Sequence, residues 1–147
     1  MLNQWIHDGT IRVEERAVDW QQALALCAEP LLAAGTITHA YVPAIVAQHQ
    51  QLGPYYVLAP GLAMPHARPE EGAVGLGLSL LKLRHGVAFG SEEHDPVDLL
   101  IMLAAPDKHS HIAMISSLAA LFSSDEDLQQ LHAATTVEEI KTIINRF

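Results

Sequence analysis

Residues 61–72 read GLAMPHARPEEG, so His66 directly follows Pro65, lies three residues before Pro69 and has Arg68 two positions on. Each proline lacks a backbone donor and pushes the residue before it toward extended geometry, so this histidine has no place inside a helix. An imidazole on a stiff, irregular segment is a potential nucleophile with little backbone freedom, and the guanidinium beside it is the side chain best shaped for phosphate or carboxylate. The residues alone also allow a blander reading, a turn histidine beside a solvated arginine.

A second pair of imidazoles lies in DKHSHIAM, as His109 and His111. On a strand, two such residues would share a face and suit a metal. On a helix they diverge by about 200°. A helix is expected to start here, and no third Cys or His stands at a fixed offset, so no metal site is assigned. His111, Ile115, Leu118 and Phe122 then fall along one side, which puts His111 at the core-facing start of the helix. Backbone donors and the helix dipole favour an anion there. A nitrogen–phosphorus bond is the covalent chemistry that matches a histidine, an arginine, a second histidine and a helix start.

Other chemistries are less well served. No G-x-S-x-G is present, and VGLGLS lacks the third glycine and following helix of a dinucleotide site. Glu70 and Glu71 are adjacent and are expected in a solvated turn rather than as an acid/base pair. His7, His39, His49, His85, His94 and His132 lie in polar or loop-like surroundings and are expected to be solvated or at the edge of the core.

The elements that must position His66 and His111 follow from periodicity and punctuation. TIRVEE alternates as a short strand, and Asp19 is placed to cap a helix to about Gly35, with Pro30 as a kink or early end. A second helix is expected from about Ala40 to the LGP at 52–54. YYVLA leads as a strand into the His66 segment, and VGLGLSLLKL and PVDLLIMLAAP follow as strands, the latter apolar enough to be covered on both faces. The next helix is expected at about 109–122, with Ile112, Ile115, Ala119 and Phe122 as its apolar stripe. Ser123 with Glu126 and Thr136 with Glu139 read as capping boxes for two more helices. The order predicts an α/β fold: a mixed sheet flanked by helices on both faces, as one domain over residues 1–147.

Composition narrows the partners. Eight basic against 17 acidic side chains leave a net charge of −9, which argues against a nucleic-acid or anionic-membrane surface. The single Cys27 excludes an internal disulfide and is expected as a buried, inert thiol. No apolar signal-peptide core opens the chain, and VDLLIMLAAP is too short to span a bilayer. No cofactor is expected, and a homodimer is left open.

GPYYVLAPGLAMPHARPEEG, GVAF, DPVDLLIMLAAPDKHSHI and SLAALFSS together resemble the enzyme IIA proteins of the bacterial sugar phosphotransferase system, mannitol/fructose type, and most nearly the branch linked to ascorbate and related acid sugars or pentitols. The resemblance spans nearly the whole chain. It implies a cytoplasmic phosphocarrier in which His66 takes a phosphoryl group from the carrier protein HPr and passes it to a cysteine of a cognate enzyme IIB, while a membrane component IIC imports the sugar. His111, rather than His109, matches the family's second histidine. Many members carry an arginine near the end of the helix before the active-site strand; an ungapped match puts Gln50 there, with Arg68 as the nearest cationic substitute for phosphate or partner contact. Leu62 and Met64 are expected on an apolar docking rim. The nitrogen-related regulatory IIA proteins supply the alternative, a module that signals by phosphorylation-dependent protein binding.

Overall fold

A computed structural model describes residues 1–147. Its centre is a five-stranded sheet in the order β1 (Ile11–Glu14), β4 (Gly77–Val87), β5 (Val97–Ala104), β3 (Leu62–Ala63) and β2 (Val57–Ala59). β1 runs parallel to β4 and β3 parallel to β5, whereas β4 with β5 and β2 with β3 are antiparallel. The mixed direction follows from connection length, because parallel neighbours need a long crossover and antiparallel ones do not. The segment expected to be irregular from residue 61 begins instead with two paired residues. Leu62 and Ala63 lie opposite Leu99 and Leu100 in the sheet, so His66 emerges directly from a strand end.

Alternation along β4 and β5 divides the core between the sheet's two faces. Leu81, Leu83, Leu100 and Met102 face α1 (Trp20–Ala33) and α2 (Tyr41–Leu52), packing on Leu24, Cys27 and Ile45. Leu78, Leu80, Ile101 and Leu103 face α3 (Ile112–Phe122), α4 (Asp125–Ala133) and α5 (Val137–Ile144). Each fully buried Leu or Ile in these layers stabilises the fold by about 1.5–3 kcal/mol. Cys27 is buried, and desolvation pushes its thiol up to about 11, the inert state expected of it.

Asp19 caps α1 by accepting from the Gln22 amide at 2.8 Å. Pro30 does not end this helix: the chain continues through the buried Leu31 to Ala33, where packing offsets the one hydrogen bond that proline forfeits. Two other local expectations are corrected. The cap of α4 is Ser124, which accepts from Asp127, while Ser123 closes α3 by donating to the Ala119 carbonyl. The buried face of α3 is Met114, Leu118 and Leu121, leaving Ile112 and Ala119 exposed. So apolar a helix offers several stripes of similar quality, and only the position of the sheet selects one.

Two histidines expected at the surface or the core's edge carry structure. His49 is buried on α2, stacked on Trp20 with centroids 3.8 Å apart, and its Nδ1 lies 2.6 Å from the Tyr56 hydroxyl. His132 on α4 holds Asp98 at 2.7 Å, and the other Asp98 oxygen lies 3.1 Å from the buried Lys82 ammonium. The amides of Asp98 and Leu99 both donate to the Gly61 carbonyl. Gly61 itself has φ of 73°, and an added Cβ would lie 2.8 Å from Asp98 Oδ1. This polar network pins α4 to the sheet at the end of β3 opposite His66.

Candidate active site

His66 leaves β3 through Met64 and Pro65, and the Leu103 amide donates to the Pro65 carbonyl at 3.0 Å. That bond continues the alignment of β3 with β5 past the last ladder residue. Two tyrosines then hold the segment. The Tyr55 hydroxyl donates to the His66 carbonyl at 2.6 Å, with its ring edge-on to the imidazole at 5.7 Å. The buried Tyr41 hydroxyl donates to the Leu103 carbonyl at 2.6 Å and accepts from the Ala67 amide at 3.1 Å. Burial pushes the Tyr41 phenol up to about 12, so it stays protonated as a donor.

The His66 ring is oriented by its own backbone. Nδ1 lies 2.8 Å from the Met64 carbonyl oxygen, which only accepts, so Nδ1 carries the proton. Nε2 is then the unprotonated nitrogen of the neutral ring, and it makes no hydrogen bond within the chain. A half-buried imidazole with a free lone pair and a fixed tautomer is equipped for nucleophilic attack.

His66 borders a cleft of about 280 Å³ that also has Tyr41, Gln48, Tyr55, Arg68, Lys108 and His111 among its walls. The structure therefore brings together all three residues singled out in the sequence: His66, Arg68 and His111. His109 is exposed and does not border the cleft. His111 is the N-cap of α3 but caps nothing with its side chain. Its Nδ1 is shielded from solvent and has no hydrogen-bond partner in the chain, an unsatisfied group that calls for an explanation. The first-turn amides of Ala113 and Met114 beside it make no backbone hydrogen bond either, as helix starts dictate. Of these groups it is the His111 residue that borders the cleft.

Gln50 does not reach the site. It is exposed, and the α2 residues on the cleft are Tyr41 and Gln48, the latter donating from Nε2 to Glu71 at 3.1 Å. Helical geometry had a signal for this, since Tyr41, Ile45 and Gln48 share a face and Gln50 lies about 200° round from Gln48. Glu71 is likewise more than a solvated turn residue. It accepts from Gln48, from the Arg68 amide at 3.0 Å and from Arg68 Nε at 3.1 Å. The Arg68 backbone amide, then its guanidinium, hold the Glu71 carboxyl below its ordinary range. Leu62, expected on a rim, is buried in the sheet, whereas Met64 is half-buried and Ile112 exposed. Tyr41, Tyr55 and Lys108 were not picked out in the sequence; nothing in their local spacing marks them, because their partners are distant in the chain.

The geometry agrees with three likenesses. An ascorbate-specific PTS system EIIA component of Escherichia coli K12 is 40% identical over 138 residues, covering 93% of this chain and 90% of its own. The solution structure of the mannitol-specific cryptic phosphotransferase enzyme IIA from Escherichia coli superposes with a TM-score of 0.92 at 42% identity, covering 99% of each chain. The crystal structure of IIA mannitol from Escherichia coli does so with 0.78 at 26%, covering 94% and 97%. The family model for the phosphoenolpyruvate-dependent sugar phosphotransferase system, EIIA 2, matches residues 4–147, and this chain, with its strand-end histidine and facing helix-start histidine, belongs to that family.

Proposed function

We propose that the protein is a phosphocarrier that holds a phosphoryl group on His66 Nε2, receiving it from phosphorylated HPr and delivering it to a cysteine of a cognate enzyme IIB. The observation that carries this reading is the pairing of Nδ1 with the Met64 carbonyl, which leaves Nε2 as the lone pair in the cleft. In the first step the Nε2 lone pair attacks phosphorus in line, and the nitrogen–phosphorus bond of the donor breaks with its electron pair returning to the donor ring. In the second, the thiolate of the acceptor attacks phosphorus and the electron pair of the broken bond returns to Nε2. Nδ1 keeps its proton throughout. Such transfer demands positioning and charge stabilisation rather than covalent help. Tyr55 and Tyr41 position the segment, and His111, on the wall of the same cleft, donates from its ring to an equatorial oxygen.

The transport system served is one for ascorbate or a related acid sugar, a reading that rests on the specificity carried in the names of the 40% identical relatives. No helix is long and apolar enough to cross a membrane, so the sugar's passage falls to another component. Incubation with phosphoenolpyruvate, enzyme I and HPr tests the core of this. Mass spectrometry under alkaline conditions is expected to find one phosphoryl group, absent from His66→Ala; full labelling of that variant would refute the site. Adding a cognate enzyme IIB is expected to discharge the label. A phosphoprotein that never discharges to it would instead be a regulatory module.

A further inference from the structure

The cleft has two cationic side chains on its walls, and they differ in what already holds them. Arg68 is engaged: Nε lies 3.1 Å from Glu71 and 3.7 Å from Glu70, so two carboxylates meet its single charge. Of the eight Lys and Arg residues, Arg12, Arg68, Lys82, Arg84, Lys141 and Arg146 are in ion pairs. Arg16 and Lys108 are the two that are not, and of these only Lys108 borders the cleft. The neighbouring carboxylate does not compete for it. Asp107 accepts from the His109 and Ser110 amides at 2.8 and 2.7 Å, shaping the loop between β5 and α3 instead of pairing with the lysine.

We propose that Lys108 is the cation that neutralises the phosphoryl group in transit on His66, and that Arg68 is not. The proposal rests on the phosphocarrier reading above. The group brings negative charge into a site whose arginine is already matched by carboxylates, and it must leave again within one transfer cycle. A lysine suits that task, having three donors on a flexible stem and no pairing to break before it can follow the phosphorus between donor and acceptor. Recruiting Arg68 would bring a charge that Glu71 and Glu70 already offset. Lys108 keeps its proton in both steps: it contacts equatorial oxygens and takes no part in the bonds made or broken, so a positive charge at this position is what matters.

The test compares wild type, Lys108→Gln, Lys108→Arg and Arg68→Gln, each loaded from phosphorylated HPr in single-turnover experiments. The ³¹P resonance of each phosphoprotein is also titrated with pH, a readout that a purely structural or docking role would not move. Lys108→Gln is expected to slow loading by roughly tenfold or more, the low end for one hydrogen bond to a charged group, and to raise the titration midpoint of the phosphoryl group. Lys108→Arg should restore most of both, and Arg68→Gln should move the midpoint far less than Lys108→Gln does. Loading and a midpoint unchanged in Lys108→Gln, or a midpoint that moves in Arg68→Gln instead, would overturn the assignment. Failure of the wild type to accept phosphate at all would sink the phosphocarrier reading itself, a separate result.

Discussion

Removing one oxygen from Tyr41 tests how the His66 segment is held. The Tyr41 hydroxyl is buried, donates to Leu103 at 2.6 Å and is the acceptor for the Ala67 amide at 3.1 Å, so it ties the end of β5 to the residue after His66. Tyr41→Phe keeps the ring and its packing but deletes both bonds. Each is worth about 1 kcal/mol net, and the polar groups left behind add a desolvation cost, for a total of about 2–4 kcal/mol. At about 1.4 kcal/mol per tenfold, a 3 kcal/mol loss raises the unfolded-to-folded ratio about a hundredfold. Urea unfolding followed by the fluorescence of Trp20, which stacks on the buried His49, measures it. Phosphoryl loading of the folded fraction should slow as well, because the segment loses a tether. Tyr55→Phe, which removes one hydrogen bond from a half-buried ring, is the control, with an expected loss of about 1 kcal/mol. A Tyr41→Phe protein within about 0.5 kcal/mol of wild type, the range of inconsequential surface changes, would refute the claim that this hydroxyl is the tie.

Asp98→Asn should destabilise the fold by about 3 kcal/mol or more, because it leaves the buried Lys82 ammonium without a countercharge; adding Lys82→Met should recover much of the loss, as denaturant titration of the double variant would record. His49, whose pKa burial lowers from 6.5, is favoured neutral in the fold, so its contribution is complete above about pH 6.5 and is lost as pH falls below that. Wild type should therefore weaken between pH 7 and 5.5 in urea titrations, and His49→Phe should be flatter over that window. Glu71, Asp107, Asp127 and Glu139 have lowered pKa values, so their share is lost only at more acidic pH. His111→Ala should slow transfer in both directions about tenfold, and since its side chain caps nothing, its thermal midpoint should stay near wild type.

Local stereochemistry was enough to single out His66 and to foresee the layered fold. The two prolines that flank the histidine weigh locally against a helix around it. Period-two runs flanked by prolines, and helices opened by Asp19 and Thr136, leave few architectures other than a covered mixed sheet. Resemblance then separated His111 from His109. What spacing along the chain could not express were contacts between residues far apart in sequence. Tyr41 reaches Leu103 across 62 positions and Lys82 meets Asp98 only through strand pairing, while the buried face of α3 was chosen by the sheet beneath it.

The same limit decided the charge around the histidine. That Gln48 rather than Gln50 faces the cleft, that it meets Glu71 there, and that Lys108 borders the same cleft without a carboxylate partner are outcomes of separate elements converging. Backbone sterics, acting over one or two residues, were enough to place an imidazole on a stiff segment after a strand. The donors and cations around it came from folding, because electrostatic partners are set by distance in space.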